Sequence, residues 1–312
     1  MRILLIHGRS QQEKEVEVLK QEWVSSLKKG FEDACLTFPE DIEIDFPYFG
    51  DTLIELQNEY EKNKDATSYR MKATGTDEED EVSKLQNMIL QQILDKQDLS
   101  GLPKIKEEIK EYIAKDTQNH PIVIAAAKVL DQFRFSGNLA IVGLFADIAA
   151  YLSVDDIREK VNTLVRKKIS SNTDIVIAHS LGTIVAYNLL RALDPKLHQI
   201  KLFITLGSPL GIDAIKRQLD KPLINPACLQ GEWLNFYDEH DIVALNPLNH
   251  EHFMIDPVIQ NFEIKNSSDN KHNISEYIND NLVASKINQL YQKEKHSLAD
   301  QANGKIKSDN KE

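Results

Sequence analysis

The apolar positions along the chain follow two rhythms. Ile3-Leu4-Leu5-Ile6 and Ile175-Val176-Ile177-Ala178 are short continuous apolar runs, the pattern of strands buried on both faces of a parallel sheet covered by helices. Lys201 to Leu206, Glu232 to Tyr237 and Val258 to Ile264 continue the series. Asp41 to Phe46 instead alternates apolar and acidic residues and ends at Pro47, which predicts a strand nearer the sheet edge. Helical spacing fills the intervals. Val16, Leu19, Trp23 and Leu27 lie on one helix face, with Gly30 where that helix is expected to stop. Ser153-Val-Asp-Asp156 has the form of a capping box ahead of Ile157, Val161, Leu164, Val165 and Ile169. Further helices are expected over Leu181 to Leu193, over Asp213 to Leu219, and in a last segment carrying Ile274, Tyr277, Ile278 and Leu282. Strands alternating with helices predict an α/β fold with a mostly parallel sheet flanked by helices.

This alternation is interrupted. From residue 51 to 138 the pattern is amphipathic helix joined by polar links, with no convincing strand, so the segment reads as a helical insertion into a core formed by residues 1–50 and 139–292. One insertion helix begins near Thr76, with Asp77-Glu-Glu-Asp-Glu81 in its first turn and a stripe of Val82, Leu85, Ile89 and Ile93. Five consecutive acids there need no metal, because carboxylates at a helix N-terminus are favoured by the macrodipole. Another helix is expected from Pro103, burying Ile105, Ile109, Tyr112 and Ile113. Residues 293–312 form a polar tail expected to fray.

Composition narrows the class of function. The 312 residues carry 37 basic and 49 acidic side chains, a formal charge of −12, so the basic footprint that phosphate neutralisation needs is missing and no nucleic-acid partner is expected. The most apolar stretch, Leu139 to Leu152, is interrupted by Asp147 and falls short of the roughly 20 residues that span a bilayer. Ile3 to Ile6 is too short for the apolar region of a signal peptide. Cys35 and Cys228 make no disulfide framework. Together these point to a reducing, cytoplasmic setting and no transmembrane segment; the oligomeric state is open.

The most informative segment runs from Ile175 to Leu190: an apolar strand, a turn with Ser180 at its apex, then a helix. In a nucleophile elbow the serine sits on a strained strand-to-helix turn, and the residues two before and two after must be small because the backbones crowd there. Those positions are Ala178 and Gly182. The more familiar pattern has glycine at both, and alanine is the next smallest residue. With this segment the chain resembles the α/β-hydrolase superfamily, particularly its lipase- and esterase-like serine hydrolases. His7-Gly8, after the first strand, is similar to that family's His-Gly turn. Thr205-Leu-Gly-Ser-Pro209 resembles the segment following the strand after the elbow.

The resemblance implies a Ser-His-Asp triad. A hydroxyl needs a base within hydrogen-bond reach, and the base needs an orienting partner; the chain order for this fold is serine, acid, histidine. After the Glu232 to Tyr237 strand come Asp238, Glu239, His240 and Asp241. The resemblance favours Asp241 as the acid, with Asp238 as the alternative. It favours His272 among nine histidines, in a polar loop before the last helix, with Tyr277 following as in the family; His250 and His252 are the alternatives. His250-Glu-His252 would place two rings on one strand face, but no third ligand is spaced as in a zinc motif, so no metal is expected. His179 is expected to pack or to line the pocket. Phosphate-binding glycine loops are absent from the sequence, and no cofactor is implied. The oxyanion donors implied are the backbone N–H groups of Leu181 and Arg9. The expected activity is cleavage of a carboxylic ester, small-molecule or lipid, under a helical cap. A thioesterase, amidase or peptidase would use the same triad, and the alternative from another class is a catalytically idle binding protein on the same fold.

Overall fold

The computed structural model describes residues 1–8, 15–72, 80–96 and 138–309. Six strands form one sheet, all parallel: β1 (Arg2–Ile6), β2 (Glu43–Asp45), β3 (Ile175–His179), β4 (Ile200–Leu206), β5 (Leu229–Tyr237) and β6 (Gln260–Glu263), in the order β2-β1-β3-β4-β5-β6. The interior strands are the continuous apolar runs, and they are covered on both faces. Because side chains alternate along a strand, Ile3, Leu5, Ile175 and Ile177 enter one core while Leu4, Ile6, Val176 and Ala178 enter the other.

The first core is closed by α1 (Val16–Asp33), which contributes Leu19, Trp23, Leu27 and Phe31, together with α8 (Ile274–Ile278) and the start of α9 (Asn281–Asp309). The second is closed by α2 (Gly50–Lys72), α3 (Glu81–Lys96), α4 (Asn138–Ser153), α5 (Asp155–Arg166), α6 (Leu181–Ala192) and the short α7 (Asp213–Gln218). Thus α2 and α3, from the insertion, share one apolar core with the sheet. Polar ties fasten them to it. Gln57 on α2 donates to the buried Asp147 on α4 at 3.0 Å, and the first-turn N–H of Ala214 on α7 donates to Gln92 on α3 at 3.0 Å. Asp147, which interrupts the apolar run in the sequence, therefore has a partner. No strand occurs among the described residues of the insertion.

Several local expectations are corrected. Gly30 does not end α1, which continues to Asp33; a Cβ at Gly30 would lie 2.6 Å from the Asn279 carbonyl oxygen, so the glycine serves close packing on the α8–α9 junction. The capping box does not form. Ser153 is the last residue of α4, and Val154 caps α5 without a side-chain bond, because only one residue separates the two helices. The edge strands β2 and β6 are shorter than expected, whereas β5 starts earlier, at Leu229. The last helix is two, broken at Asn279–Asp280, and the second, α9, extends through Asp309. The helix expected near Thr76 starts at Glu81; residues 73–79 and the helix expected from Pro103 lie outside the described residues. No helix among the described residues is long and apolar enough to cross a membrane.

Candidate active site

The strand order reverses between β1 and β3. The chain steps outward from β1 to β2, then returns to the other side of β1, and in open parallel sheets ligands bind at such a switch point, beyond the carboxyl ends of the strands. Gly8 follows β1, and Ser180 follows β3.

Ser180 has φ 57° and ψ −131°, a left-handed φ that costs a residue with a side chain about 1–3 kcal/mol. The strain is over-determined by its surroundings. The Ser180 N–H donates to the Leu206 carbonyl at 3.1 Å, and its own carbonyl accepts from the Thr183 hydroxyl at 2.7 Å. Ser208 in turn donates to Thr183 Oγ1 at 2.8 Å, tying the turn to the segment after β4. The small residues are sterically required. A Cβ on Gly182 would fall 2.4 Å from the His7 carbonyl oxygen, and one on Gly8 would fall 2.6 Å from the Ser180 Cβ. Ala178 is fully buried within β3.

Three distant segments converge on the serine. His272 Nε2 lies 2.8 Å from Ser180 Oγ, and His272 Nδ1 lies 2.7 Å from Asp241 Oδ2. With the Nδ1 proton directed at the carboxylate, Nε2 is left to accept from the hydroxyl. Asp241 is only 1% exposed and Ser180 only 2%, while the His272 side chain between them is 11% exposed. Asp241 is itself well supplied with donors: the Val243 N–H reaches Oδ1 at 2.9 Å, and the Tyr277 hydroxyl reaches Oδ2 at 2.8 Å. Burial and the neighbouring carboxylate push the Tyr277 phenol well above its usual range, which keeps it a donor.

The other candidates are placed apart from this chain. Asp238 is buried but braces the backbone: its carboxylate accepts from the His240 N–H at 2.8 Å and from the Asn266 N–H at 2.7 Å. His250 lies in a turn and His252 donates and accepts nothing at Ser180; among the described residues no group of three metal-ligating side chains occurs. His7 is structural: its Nδ1–H donates to the Gly8 carbonyl at 2.7 Å while Nε2 accepts from the Phe49 N–H at 3.1 Å. Burial lowers its pKa to about 4, so the ring is neutral at neutral pH. His179 packs its ring 4.5 Å from that of His272, and burial followed by the repulsion of His272 lowers its pKa well below 6.5. Leu181 opens α6 directly after the serine, where helical N–H groups have no intrahelical acceptor. Arg9 lies outside the described residues.

Two residues named from the sequence make contacts that the sequence did not assign to them. Gly207 has φ 54°, and a Cβ there would meet the His272 ring at 3.1 Å and Asp241 Oδ2 at 3.2 Å; its place two residues before Pro209 at a strand end is the available signal. The Tyr277 hydroxyl bond is the other: the place of Tyr277 after His272 is legible in the sequence, but the partner of its hydroxyl is not. A narrow slot beside His272 is lined by Ile141, His240, Asp241, Ile242 and residues 269–271, with no room for a water molecule. The arrangement is able to deprotonate a hydroxyl and to hold the resulting imidazolium against a carboxylate. Comparison with protein-family models, with curated proteins and with solved structures returns no match.

Proposed function

We propose that the protein is a serine hydrolase of the α/β-hydrolase type, cleaving a carboxylic ester through an acyl-enzyme intermediate. The observation that carries this reading is the continuous chain Ser180 Oγ, His272 Nε2, His272 Nδ1, Asp241 Oδ2, at 2.8 and 2.7 Å, on a serine in a strained strand-to-helix turn. Ser180 Oγ attacks the acyl carbonyl carbon while its proton passes to His272 Nε2. The Asp241 carboxylate stabilises the imidazolium and fixes the ring orientation without taking the proton. The oxyanion is received by the Leu181 N–H, with the second donor expected at the Arg9 N–H. Each such donor is worth about two to three powers of ten in rate. Collapse of the tetrahedral intermediate breaks the C–O bond, and His272 returns the proton to the departing alcohol. Water, activated by the same imidazole, then releases the acid and restores Ser180.

An ester is the simplest substrate for this chain of groups, and a thioester or amide would use the same nucleophile and base. A panel of short- and long-chain p-nitrophenyl esters, run with wild type and Ser180→Ala, tests the reading. Turnover by wild type with loss of at least three powers of ten in the variant is expected, in line with removal of a nucleophile. Equal rates in the two proteins would contradict it.

A further inference from the structure

We propose that Tyr277 is a positioning residue which, through its hydroxyl bond to Asp241 Oδ2, sets the proton affinity of His272. The consequence for turnover rests on the hydrolase reading; the effect on His272 does not.

Tyr277 and His272 arrive together. Asn273 caps α8, its side chain accepting from the Ser275 N–H at 3.1 Å, so the five-residue helix carries Tyr277 rigidly from the residue next to His272. Both then address one atom: the His272 Nδ1–H and the Tyr277 O–H donate to the same Asp241 Oδ2, at 2.7 and 2.8 Å. A hydroxyl has a single proton, and its direction here is not free. The Asp238 N–H donates to Tyr277 Oη at 3.1 Å, occupying an acceptor site and leaving the proton aimed at Asp241. Tyr277 is fully buried, so water is not available to replace it as a donor.

A neutral donor on the oxygen that faces the base disperses part of its negative charge. The carboxylate then holds the imidazolium less tightly than it would with His272 alone on that oxygen, and the ring gives up its proton at lower pH. The other charged and titratable groups near His272 are His179 at the end of β3, Asp238 behind Tyr277, and His240, Asp269 and Lys271 around the slot. None of these hydrogen-bonds to Oδ2, which makes Tyr277 the group whose removal changes that oxygen directly.

The test reads the imidazole itself. In protein labelled with 13C at the histidine ring, the His272 Cε1 shift is titrated in wild type, Tyr277→Phe and a variant with 3-fluorotyrosine at 277. Tyr277→Phe should raise the His272 pKa by about one unit, a tenfold change in proton affinity. The fluorinated phenol is a stronger donor of the same shape and should lower it, so the sign remains readable even if Tyr277→Phe fails to fold. In ester hydrolysis the acid limb of the kcat/KM profile should move with the ring pKa while KM stays near wild type. Unchanged His272 pKa values, or shifts of the opposite sign, overturn the proposal. The expected shifts in a protein that hydrolyses no ester would uphold it and instead count against the hydrolase reading.

Discussion

Asp238 and Asp241 are both buried, three residues apart, and do different work. Asp241 meets the imidazole, while Asp238 accepts two backbone N–H groups and holds the loop that carries Asp241. Asp241→Asn should therefore leave the fold intact and reduce kcat by about four powers of ten, because the amide cannot stabilise the imidazolium. Asp238→Asn places an N–H₂ against an N–H donor and should cost about 1–3 kcal/mol of stability, read as a lower urea midpoint. Equal activity losses with equal stability in the two variants would mean that these roles are misassigned. The serine turn was legible in the sequence because crowding demands small residues, and Ala178 and Gly182 meet that demand. The choice between the two acids was not legible from composition, since both follow the same strand and only side-chain direction separates them. Nor was the bond of the Tyr277 hydroxyl: its place after His272 was legible and its helical spacing reads as core, which its ring is, while its oxygen bonds Asp241.

At the scale of elements, glycine use shows how packing overrides local preference. Within α1 alanine is favoured over glycine by about 1 kcal/mol, yet a Cβ at Gly30 would press on backbone atoms of Asn279 at 2.6 to 2.9 Å. Backbone cannot swing aside as a flexible side chain can, and overpacking of this kind costs about 1–3 kcal/mol. Gly30→Ala should thus destabilise the protein in urea titration despite its better helix propensity; a stabilised variant would show that α1 and the α8–α9 junction separate easily. The same contact explains why Gly30 was misread as a helix stop. The interior strands were legible because burial on both faces leaves a continuous apolar run. The edge strands β2 and β6 were overestimated: each has a pairing partner on one side only, and pairing covers just Arg2–Leu4 of β1 and Leu234–Tyr237 of β5. The break in the last helix at Asn279–Asp280 left no trace in apolar spacing, because Tyr277, Ile278 and Val283 all face the same core.

For the molecule as a whole, buried neutral histidines make acid the weak side of its stability. His7 has a pKa of about 4 in the folded protein against an ordinary 6.5, and that of His179 is lowered as well. Between those values the unfolded chain binds more protons than the folded one, so stability rises with pH there and is lost as pH falls from 6.5 towards 4. For His7 alone the loss is about 3 kcal/mol, at 1.36 kcal/mol per pKa unit. Urea midpoints measured across that window should fall for wild type and fall less for His7→Gln, which takes up no proton. Parallel curves would show that His7 is not the group responsible. His7 links the end of β1 to Phe49, beside α2, so acid is expected to loosen the region around the switch point before the far edge of the sheet.

The central claim is that Ser180 is an activated nucleophile, and the most direct measurement is covalent labelling with a fluorophosphonate probe, with the modified residue located by mass spectrometry. Wild type should be labelled at Ser180, and the adduct should be absent in Ser180→Ala and lost or greatly slowed in His272→Ala. A folded wild-type protein that stays unlabelled at Ser180, or a His272→Ala variant labelled as fast as wild type, would contradict the account.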